Sequence, residues 1–294
     1  MSANVAASKK KKAVPKLKLD SAEERKIKMD AVKPWEIDPI ELELDSDLGS
    51  GSFGVVKLAS FRGTQVAVKR FHKVSESSFQ VFYQEVHLLL QMRHPNIVAC
   101  LGLCSSEVRP CIVMEYLPYN LHQALRDVPS LLSTPASILR VALDICAGLN
   151  YLHLSSPAII HRDLKPANVL LDEYGRAKLC DFGISRQLVD EPAHTRIGTP
   201  SFMSPEVLEG LPYGPAVDVY SFGMLLFQTV TRTVPFSRKD PVAIIFQVVT
   251  HKRRPPLDDV PPPWDDIISS CWAQSPTDRP TVSTLLTTLQ SLEL

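Results

Sequence analysis

Two short polar segments lie between apolar stretches in the middle of the chain. The first, residues 161–168, reads His-Arg-Asp-Leu-Lys-Pro-Ala-Asn, and the second begins at Asp181. Asp163 and Asn168 bring a carboxylate and an amide within six residues of each other. The gap from Asn168 to Asp181 accommodates a hairpin that turns at residues 173–175 and returns both side chains to one place. Oxygen donors of this kind suit Mg²⁺, which binds few protein ligands together with phosphate.

A glycine-rich turn precedes these segments. Gly49, Gly51 and Gly54 form the pattern G-x-G-x-x-G, which is a weak signal when taken alone. In a dinucleotide-binding fold the third glycine opens a helix, whereas residues 55–58 here continue as a strand. A hairpin that covers phosphate groups therefore fits better, and a plain flexible hairpin stays open as the alternative.

A lysine and a glutamate also lie in apolar surroundings. Lys69 ends the run Val66-Ala67-Val68-Lys69, and a lysine in an apolar strand costs free energy unless an anion meets it. Glu85 lies one helical turn from Val81 and Leu89, at the margin of the apolar stripe of the next helix. Either residue alone is commonly a charge that reaches water. Their joint placement predicts a Lys69–Glu85 ion pair beside a nucleotide phosphate.

The hydrophobic periodicity outlines the elements that must position these residues. Strands are predicted at residues 40–44, 55–61, 65–71, 98–104 and 110–116. Helices are predicted at residues 76–92, 139–154, 216–231, 242–251, 264–273 and 282–292. The pattern therefore indicates a small sheet-rich lobe, about 38–117, followed by a larger helical lobe, about 118–294.

The overall charge balance gives no indication of a nucleic-acid or membrane partner. Lys+Arg and Asp+Glu both number 32, and 45% of residues are hydrophobic. Residues 1–34 differ, because residues 1–19 contain six lysines and no acid. We expect 1–34 to be a flexible basic arm, which could serve nuclear import, weak contact with an anionic surface, or docking. A solubilising disordered end is at least as good an explanation.

The cysteines and the hydrophobic runs constrain the cellular setting. The six cysteines show no C-x-x-C spacing, which predicts free and mostly buried thiols in a reducing compartment rather than a zinc site. The N-terminus is charged where a signal peptide is apolar, and no run reaches the roughly 20 residues of a spanning helix. Because residue 2 is serine and not glycine, N-myristoylation is not expected. We expect a soluble cytoplasmic protein that could also enter the nucleus, with no C-terminal regulatory domain after the last helix.

Together these motifs resemble those of eukaryotic protein kinases, over about residues 40–294. Residues 161–168 are similar to the catalytic loop H-R-D-x-x-x-x-N, and Asp181-Phe182-Gly183 to the metal-binding D-F-G. Ser204-Pro205-Glu206 departs mildly from the family's A-P-E. The resemblance implies an α+β bilobal kinase domain at 35–294, with a small antiparallel-sheet N-lobe carrying one main helix and a larger helical C-lobe.

Two further segments, residues 218–223 and 271–280, resemble the tyrosine-kinase-like group, which includes Raf-like and mixed-lineage kinases. By the same resemblance, Glu206 and Arg279 form a buried structural ion pair, whose loss should harm folding more than chemistry.

The resemblance assigns the nucleotide site to the sheet-rich lobe. Val56 and Ala67 would enclose the adenine, the backbone of Glu115 and Leu117 would bond its edge, and Met114 would guard the back pocket. The turn that would cover the triphosphate consists of Gly49, Ser50, Gly51, Ser52, Phe53 and Gly54.

The resemblance also gives each charged residue a role in phosphoryl transfer. Lys69, paired with Glu85, would hold the α- and β-phosphates of ATP, while Asn168 and Asp181 would hold Mg²⁺. Asp163 would orient the substrate hydroxyl and accept its proton, and Lys165 would neutralise charge on the transferred group. Because this reaction needs mostly positioning and electrostatic stabilisation, a few fixed charges suffice.

The substrate is expected to be a protein serine or threonine. Residues 164–168, which read Leu-Lys-Pro-Ala-Asn, resemble serine/threonine kinases, and Thr199 resembles the threonine that bonds the catalytic Asp and Lys. Dual specificity stays open. A scaffold that does not transfer phosphate would show degenerate motifs, and a small-molecule kinase would lack the 198–206 segment that resembles a protein-substrate platform.

Regulation by phosphorylation of the activation loop, residues 184–203, is a further hypothesis. Arg162 precedes Asp163, and family members with that arginine often use it to bind a phosphorylated loop. Thr195 is the first candidate site and Ser185 the second, so an upstream activating kinase is a candidate partner. A merely polar loop explains both residues about as well.

Overall fold

A five-stranded antiparallel sheet carries the first predicted site residues. The computed structural model describes residues 30–51, 54–71, 76–105, 110–183, 185–187, 198–237 and 239–293. The strands are β1 (Leu42–Gly51), β2 (Gly54–Phe61), β3 (Thr64–Phe71), β4 (Cys100–Cys104) and β5 (Cys111–Glu115), in the order β1-β2-β3-β5-β4. The central strand β3 buries Val66, Ala67, Val68 and Lys69 in succession, so both faces of the sheet are covered.

The two faces of this sheet are covered by different elements. Helix α1 (Glu76–Gln91) runs beside β4 and buries Phe82, Val86 and Leu89, as its helical spacing predicts. Val66, Val68 and Val113 form a separate core cluster together with Ile37. Helix α1 directs Glu85 towards Lys69 of β3.

The larger lobe consists mainly of helices. Its helices are α2 (Leu121–Asp127), α3 (Pro135–His153), α4 (Pro205–Glu209), α5 (Ala216–Thr231), α6 (Pro241–Ile245), α7 (Trp264–Cys271) and α8 (Val282–Gln290). Helix α5 is buried on nearly every side, as its uniformly apolar composition requires, and packs against α7, while α3 packs against α8.

Short strands in the larger lobe hold the polar segments. They are β6 (Tyr119–Asn120), β7 (Ile159–Ile160), β8 (Val169–Leu171), β9 (Ala177–Leu179) and β10 (Arg186–Gln187). Strands β8 and β9 form the hairpin expected between Asn168 and Asp181, and Gly175 in its turn has a φ of 76°. Strand β10 pairs with β7, which directly precedes the polar segment at residues 161–168.

Several predicted boundaries were wrong for local reasons. Helix α3 begins at Pro135 rather than near residue 139, because Thr134 and Ser137 form a capping box and Pro135 suits the first turn. Strand β1 begins at Leu42 because Asp38 caps a 3₁₀ turn at Pro39–Glu41. The helix expected over 242–251 changes at Phe246–Thr250 into a π-helical turn. The short helices α2 and α4 were not predicted.

The chain divides into two units, residues 1–35 and residues 36–294. In the first unit the described residues are helical at 30–32 and form a 3₁₀ turn at Lys33–Trp35. In the second, all six cysteines are free and all but Cys180 are buried, which confirms the prediction of free, mostly buried thiols. Within the part of the chain that the structure describes, no helix has both the length and the apolar character to cross a membrane.

Candidate active site

Lys69 lies at the centre of the first cluster of charges. Its Nζ donates to both carboxylate oxygens of Glu85, at 2.7 and 2.8 Å, and to Oδ1 of Asp181 at 2.7 Å. The predicted Lys69–Glu85 ion pair is therefore present, and Asp181 from the other lobe joins it. The side chain of Glu85 is only 1% exposed, whereas that of Asp181 is 39% exposed, so the cluster is open on the Asp181 side.

The electrostatics keep both Lys69 and Asp181 charged. Burial alone would lower the pKa of Lys69, but the carboxylates of Glu85 and Asp181 outweigh it and raise the pKa above its usual value. Burial alone would raise the pKa of Asp181, but the positive charge of Lys69 outweighs burial and lowers this pKa below its usual value. One ammonium thus faces two carboxylates, which leaves an excess of negative charge that suits a cation.

Asp163 is the centre of the second cluster. Its Oδ2 accepts from Nζ of Lys165 at 2.7 Å and from Nδ2 of Asn168 at 2.9 Å. Thr199 donates to Oδ1 of Asp163 at 3.3 Å and accepts from Lys165 at 2.9 Å. The structure therefore brings together Asp163, Lys165 and Asn168 as predicted, together with the threonine that the serine/threonine motif implies.

The backbone next to Asp163 is held by a buried carboxylate from α5. Asp218 is fully buried, and its carboxylate accepts from the amides of His161 and Arg162, both at 2.9 Å. His153 lies 2.8 Å from the same carboxylate through Nε2. These bonds stabilise Arg162 in a left-handed conformation, with φ at 73°. The sequence reasoning missed this role, although a carboxylate in an otherwise apolar helix indicates a buried partner.

The two polar segments are joined directly. The amide of Cys180 donates to the carbonyl of Asn168 at 3.0 Å, and Nε2 of His161 lies 3.0 Å from the carbonyl oxygen of Cys180. Phe182 is buried and its ring centroid lies 5.2 Å from that of His161. The hairpin β8–β9 thus returns the chain before Asp181 to the polar segment at residues 161–168, as the sequence spacing predicts.

The donor atoms suit a hard divalent cation. Nδ2 of Asn168 donates to the carbonyl and to Oδ2 of Asp163, so its amide oxygen is the atom that could bind a cation, as could the carboxylate of Asp181. Among the described residues, no group of three or more His, Cys, Asp or Glu forms a protein-only metal cage. Two oxygen ligands completed by phosphate oxygens and water correspond to the way Mg²⁺ is usually bound.

The glycine turn joins β1 to β2 at the edge of the sheet. Gly51 pairs with Gly54, Ser50 with Val55, and Gly49 with Val56. A Cβ at Gly54 would lie 2.0 Å from the carbonyl oxygen of Arg70, so the approach of β3 requires glycine there. The predicted covering residues Ser52 and Phe53 lie outside the described residues.

The predicted adenine-site residues lie on neighbouring strands and at the start of the connection between the lobes. Ala67 pairs with Met114 across β3 and β5, and Val56 pairs with Lys69 across β2 and β3. Ala67, Met114 and Leu117 are each 8% exposed. The amide of Glu115 donates to the carbonyl of Ala99 at 3.0 Å, and Glu115 pairs with Val66 across β5 and β3.

The two candidate phosphorylation sites differ in what the structure shows. Ser185 donates its hydroxyl to the carbonyl of His161 at 3.0 Å and directly precedes β10. A phosphate there would break this bond and disturb the pairing of β10 with β7. Thr195 lies outside the described residues.

The predicted structural ion pair of the larger lobe is also present. Arg279 and Glu206 form two parallel hydrogen bonds, Nη1 to Oε1 at 2.6 Å and Nη2 to Oε2 at 2.8 Å. The guanidinium also donates to the carbonyls of Ala216, Ala273 and Gln274, and lies 5.1 Å from the ring centroid of Tyr220. Such bidentate geometry satisfies both charges where water is excluded.

Comparison with known proteins identifies this arrangement. Residues 42–289 match the model of the protein kinase domain. The chain therefore belongs to the protein kinase family, and its two lobes are those of the bilobal α+β kinase fold.

Named relatives give the same classification. The chain is 36% identical over 261 residues to the Dictyostelium discoideum protein "Probable serine/threonine-protein kinase drkB", covering 88% of this chain and 38% of that protein. It is 36% identical over 262 residues to drkA of the same organism, likewise named a serine/threonine-protein kinase, covering 88% and 41%. It is 35% identical over 282 residues to that organism's "Dual specificity protein kinase splA", covering 88% and 12%. The chain thus spans less than half the length of these relatives.

Proposed function

We propose that this chain is an ATP- and Mg²⁺-dependent protein kinase that phosphorylates serine or threonine. The observation that carries the proposal is the convergence of Glu85 and Asp181 on Lys69, whose Nζ lies within 2.8 Å of carboxylate oxygens of both, together with the Asp163–Lys165–Thr199 cluster. The relatives drkB and drkA, named as serine/threonine kinases, support the class of substrate.

The first cluster would hold the nucleotide. Lys69 would bind the α- and β-phosphates, and Glu85 keeps the ammonium in place. Asn168 and Asp181 would hold Mg²⁺, which supplies positive charge against the phosphate oxygens. Gly49 to Gly54 would cover the triphosphate, with Val56 and Ala67 around the adenine and Met114 behind it. The backbone of Glu115 and Leu117 would bond the adenine edge.

The second cluster would perform the chemistry on the acceptor. Asp163 would orient the serine or threonine hydroxyl and accept its proton as the oxygen attacks the γ-phosphorus. Lys165 would offset the charge on the transferred group, and Thr199 holds both side chains in position. This assignment needs no covalent intermediate, because fixed charges and alignment account for most of the acceleration in this reaction class.

The test is transfer of the γ-phosphate from Mg·ATP to a generic protein substrate and to the chain itself, with Asp163→Asn as the matched inactive variant. Phosphoamino-acid analysis should show phosphoserine or phosphothreonine from the native chain, and at least a hundredfold less from Asp163→Asn. A folded, ATP-binding native chain that stays silent after activation-loop phosphorylation would support a scaffold instead.

Dual specificity is the second candidate function. The relative splA carries that description in its name, and it matches 88% of this chain. Phosphotyrosine in the same analysis, lost in Asp163→Asn, would favour this reading. Its absence would leave the serine/threonine assignment.

We also assign the chain to the tyrosine-kinase-like group and propose control by activation-loop phosphorylation. Residues 218–223 and 271–280 carry the first assignment, and Arg162 beside Asp163 supports the second. Because Ser185 already donates to His161, Thr195 is the better site for an upstream activating kinase. Mass spectrometry of the active protein that finds no phosphate in residues 184–203 would exclude this regulation.

The remaining proposals concern the cellular setting. We infer a kinase domain over residues 35–294, a cytoplasmic location with access to the nucleus, a role in signal transduction, and a basic arm at 1–34 that contacts an anionic surface weakly. No specific nucleic-acid partner is proposed. Deleting 1–34 should change location or membrane association, and an unchanged location with unchanged activity would reduce the arm to a solubilising tail.

A further inference from the structure

Two buried cysteines face each other at one end of the five-stranded sheet. Cys104 is the last residue of β4 and Cys111 is the first residue of β5, and the antiparallel register places them directly opposite each other. Directly opposed residues of an antiparallel pair have Cα atoms about 4.5–5.5 Å apart, and their side chains lie on the same face of the sheet. Because this separation lies within the range that a disulfide spans, the two sulfurs can be joined without a change of register.

The surroundings of the pair are apolar, yet the pair lies close to solvent. Both cysteines belong to the core cluster that contains Ile37, and they are 2% and 5% exposed. Strand β4 is an edge strand of the sheet, and the next residue, Ser105, is partly exposed. The site therefore excludes bulky reagents but lies one residue from solvent, which suits a small uncharged oxidant.

The two thiols differ in how readily they lose a proton. A hydrogen bond from the Cys104 thiol lowers the pKa of Cys111 below its ordinary 9.0, and the amide of Cys104 and the charge of Arg70 act in the same direction, against burial. The same hydrogen bond, together with burial, raises the pKa of Cys104. Because the thiolate is the reactive form, Cys111 is the nucleophile of the pair and Cys104 is the thiol that resolves its oxidised form.

We propose that Cys104 and Cys111 are a modification site, at which hydrogen peroxide forms a reversible disulfide that ties the edge strand β4 to β5. The Cys111 thiolate attacks one oxygen of the peroxide, so that an S–O bond forms and the O–O bond breaks. The released hydroxide takes up the proton that Cys111 had lost. The sulfur of Cys104 then attacks the sulfur of Cys111, the S–O bond breaks, and the second oxygen leaves as water with the proton of Cys104. Two thiols thus lose two electrons, and one peroxide becomes two waters.

The disulfide stabilises the sheet that carries Lys69. It links residues 104 and 111 covalently, which restricts the unfolded chain more than the folded one. Cys111 also pairs with Arg70 across β5 and β3, directly after Lys69, so the link lies next to the central strand. A dithiol reductant reverses the modification by thiol–disulfide exchange. The inference does not rest on the proposed function, because its test needs no phosphate transfer.

The first measurement is peptide mapping by mass spectrometry. The full chain is treated with hydrogen peroxide, the remaining thiols are alkylated, and the chain is cut after glutamate. Glu107 lies between the two cysteines in the sequence, so only a disulfide holds the two resulting peptides together. We expect the linked pair, two hydrogen atoms lighter than the sum of the separate peptides, and its disappearance after dithiothreitol.

Cysteine variants identify the partners in the link. Cys104→Ser and Cys111→Ser should each abolish it. Cys100→Ser is the matched control, because it removes a buried thiol of the same strand that lies opposite Met114, and it should keep the link. If Cys104→Ser does not fold, Cys104→Ala replaces it and retains the apolar surroundings.

Thermal unfolding measures the effect of the link on stability. Peroxide should raise the unfolding midpoint of the native chain and of Cys100→Ser by about 5 °C, and dithiothreitol should reverse the rise. The midpoints of Cys104→Ser and Cys111→Ser should not rise. An unchanged midpoint in a native chain that carries the link would overturn the stabilising role.

Three further outcomes would overturn the inference. Separate peptides with both thiols alkylated would show that peroxide does not oxidise the pair. Sulfinic acid at Cys111 without a link would show that Cys104 does not resolve it, and a link that persists in Cys104→Ser would identify another partner. A chain that forms the link but transfers no phosphate refutes the proposed function alone, whereas a chain that transfers phosphate but forms no link refutes this inference alone.

Discussion

Two buried ion pairs among the described residues, Lys69–Glu85 and Glu206–Arg279, differ in how completely their charges are satisfied. Glu206 meets one guanidinium through two parallel bonds, and the rest of Arg279 is bonded to backbone carbonyls. The side chains of Arg279 and Glu206 are 0% and 7% exposed. The charges of that pair therefore balance, and both side chains are shielded from solvent.

The Lys69 cluster is unbalanced and open. One ammonium faces two carboxylates, and one of them, Asp181, comes from the other lobe and has a side chain that is 39% exposed. A buried ion pair contributes little net stability compared with an apolar replacement, so stability alone does not explain why a chain has one. The geometry of each pair indicates its role instead. The closed pair joins segments of one lobe, whereas the open cluster retains charge that a bound metal and phosphates can complete.

Lys69→Met tests the open cluster and should have the largest effect on activity. Removing the ammonium should reduce kcat/KM for ATP by about 10³-fold, which is about 4 kcal/mol, because no other described residue bonds both Glu85 and Asp181. Burial already raises the pKa of Glu85, so this carboxyl group can take up a proton when Lys69 is lost. Kinetics should show the defect, while urea unfolding shows a smaller loss of stability than Arg279→Met. The opposite ranking would contradict the comparison.

Arg279→Met tests the closed pair and should mainly affect folding. It leaves the Glu206 carboxylate buried without its cation, so the free energy of unfolding should fall by about 3 kcal/mol. Urea denaturation followed by circular dichroism measures the loss, and the folded fraction should keep its KM for ATP. Arg62→Met, which removes an exposed pair with Glu41, is the control and should leave the midpoint unchanged. A normal urea midpoint with lost activity would show that Arg279 supports catalysis rather than folding.

Asp218→Asn should affect both stability and activity, because Asp218 is fully buried and holds the backbone of His161 and Arg162. We expect a loss of about 2 kcal/mol in unfolding free energy at pH 7. Burial would raise the pKa of Asp218, but His153 and the backbone amides outweigh it and lower the pKa below its ordinary 3.8.

The sign of the pH dependence follows from this depressed pKa. A depressed carboxyl pKa contributes stability above about pH 4 and loses it as pH falls through the folded-state value. The difference between wild type and Asp218→Asn should therefore be constant from pH 7 to pH 5 and shrink below pH 4. A difference that grows in acid would contradict the assignment. Urea titrations at each pH measure it.

Thr199→Ala should have the smallest effect. It removes one hydroxyl that donates to Asp163 at 3.3 Å and accepts from Lys165 at 2.9 Å, while the Lys165–Asp163 bond at 2.7 Å persists. The expected result is a fall in kcat of about fivefold, or about 1 kcal/mol, with KM for ATP unchanged. Thr199→Ser should recover most of the rate. A hundredfold loss would mean that Thr199 shares the role of Asp163.

The sequence predicted most of the charged site because a buried charge has few explanations. Lys69 in an apolar strand, Glu85 at the edge of a helical stripe, and the spacing of Asn168 and Asp181 each imply a partner, and the structure places those partners together. Helix α5 was predicted at its observed bounds, Ala216–Thr231, because its apolar composition leaves no ambiguity.

What the sequence did not predict depends on tertiary contacts. Asp218 acts through backbone groups that are far away in sequence, and no local pattern identifies them. The residues of the capping box at Thr134 are present in the sequence, but many other pairs of Ser and Thr have a similar spacing, so the sequence does not single this pair out. The π-helical turn at Phe246–Thr250 keeps the apolar spacing of a helix, so periodicity alone cannot distinguish it.

The two outer glycines of the turn between β1 and β2 differ in the space around them. Gly54 is required by the fold itself, because a methyl group there would overlap the carbonyl oxygen of Arg70. At Gly49, no atom of the described residues lies within 4 Å of where a Cβ would stand. No contact within the described residues requires glycine at position 49, whereas a bound ligand would. A descendant that lost its nucleotide would therefore be free to drift at position 49 while position 54 stayed glycine, and sequences of inactive descendants would record the loss of catalysis there first.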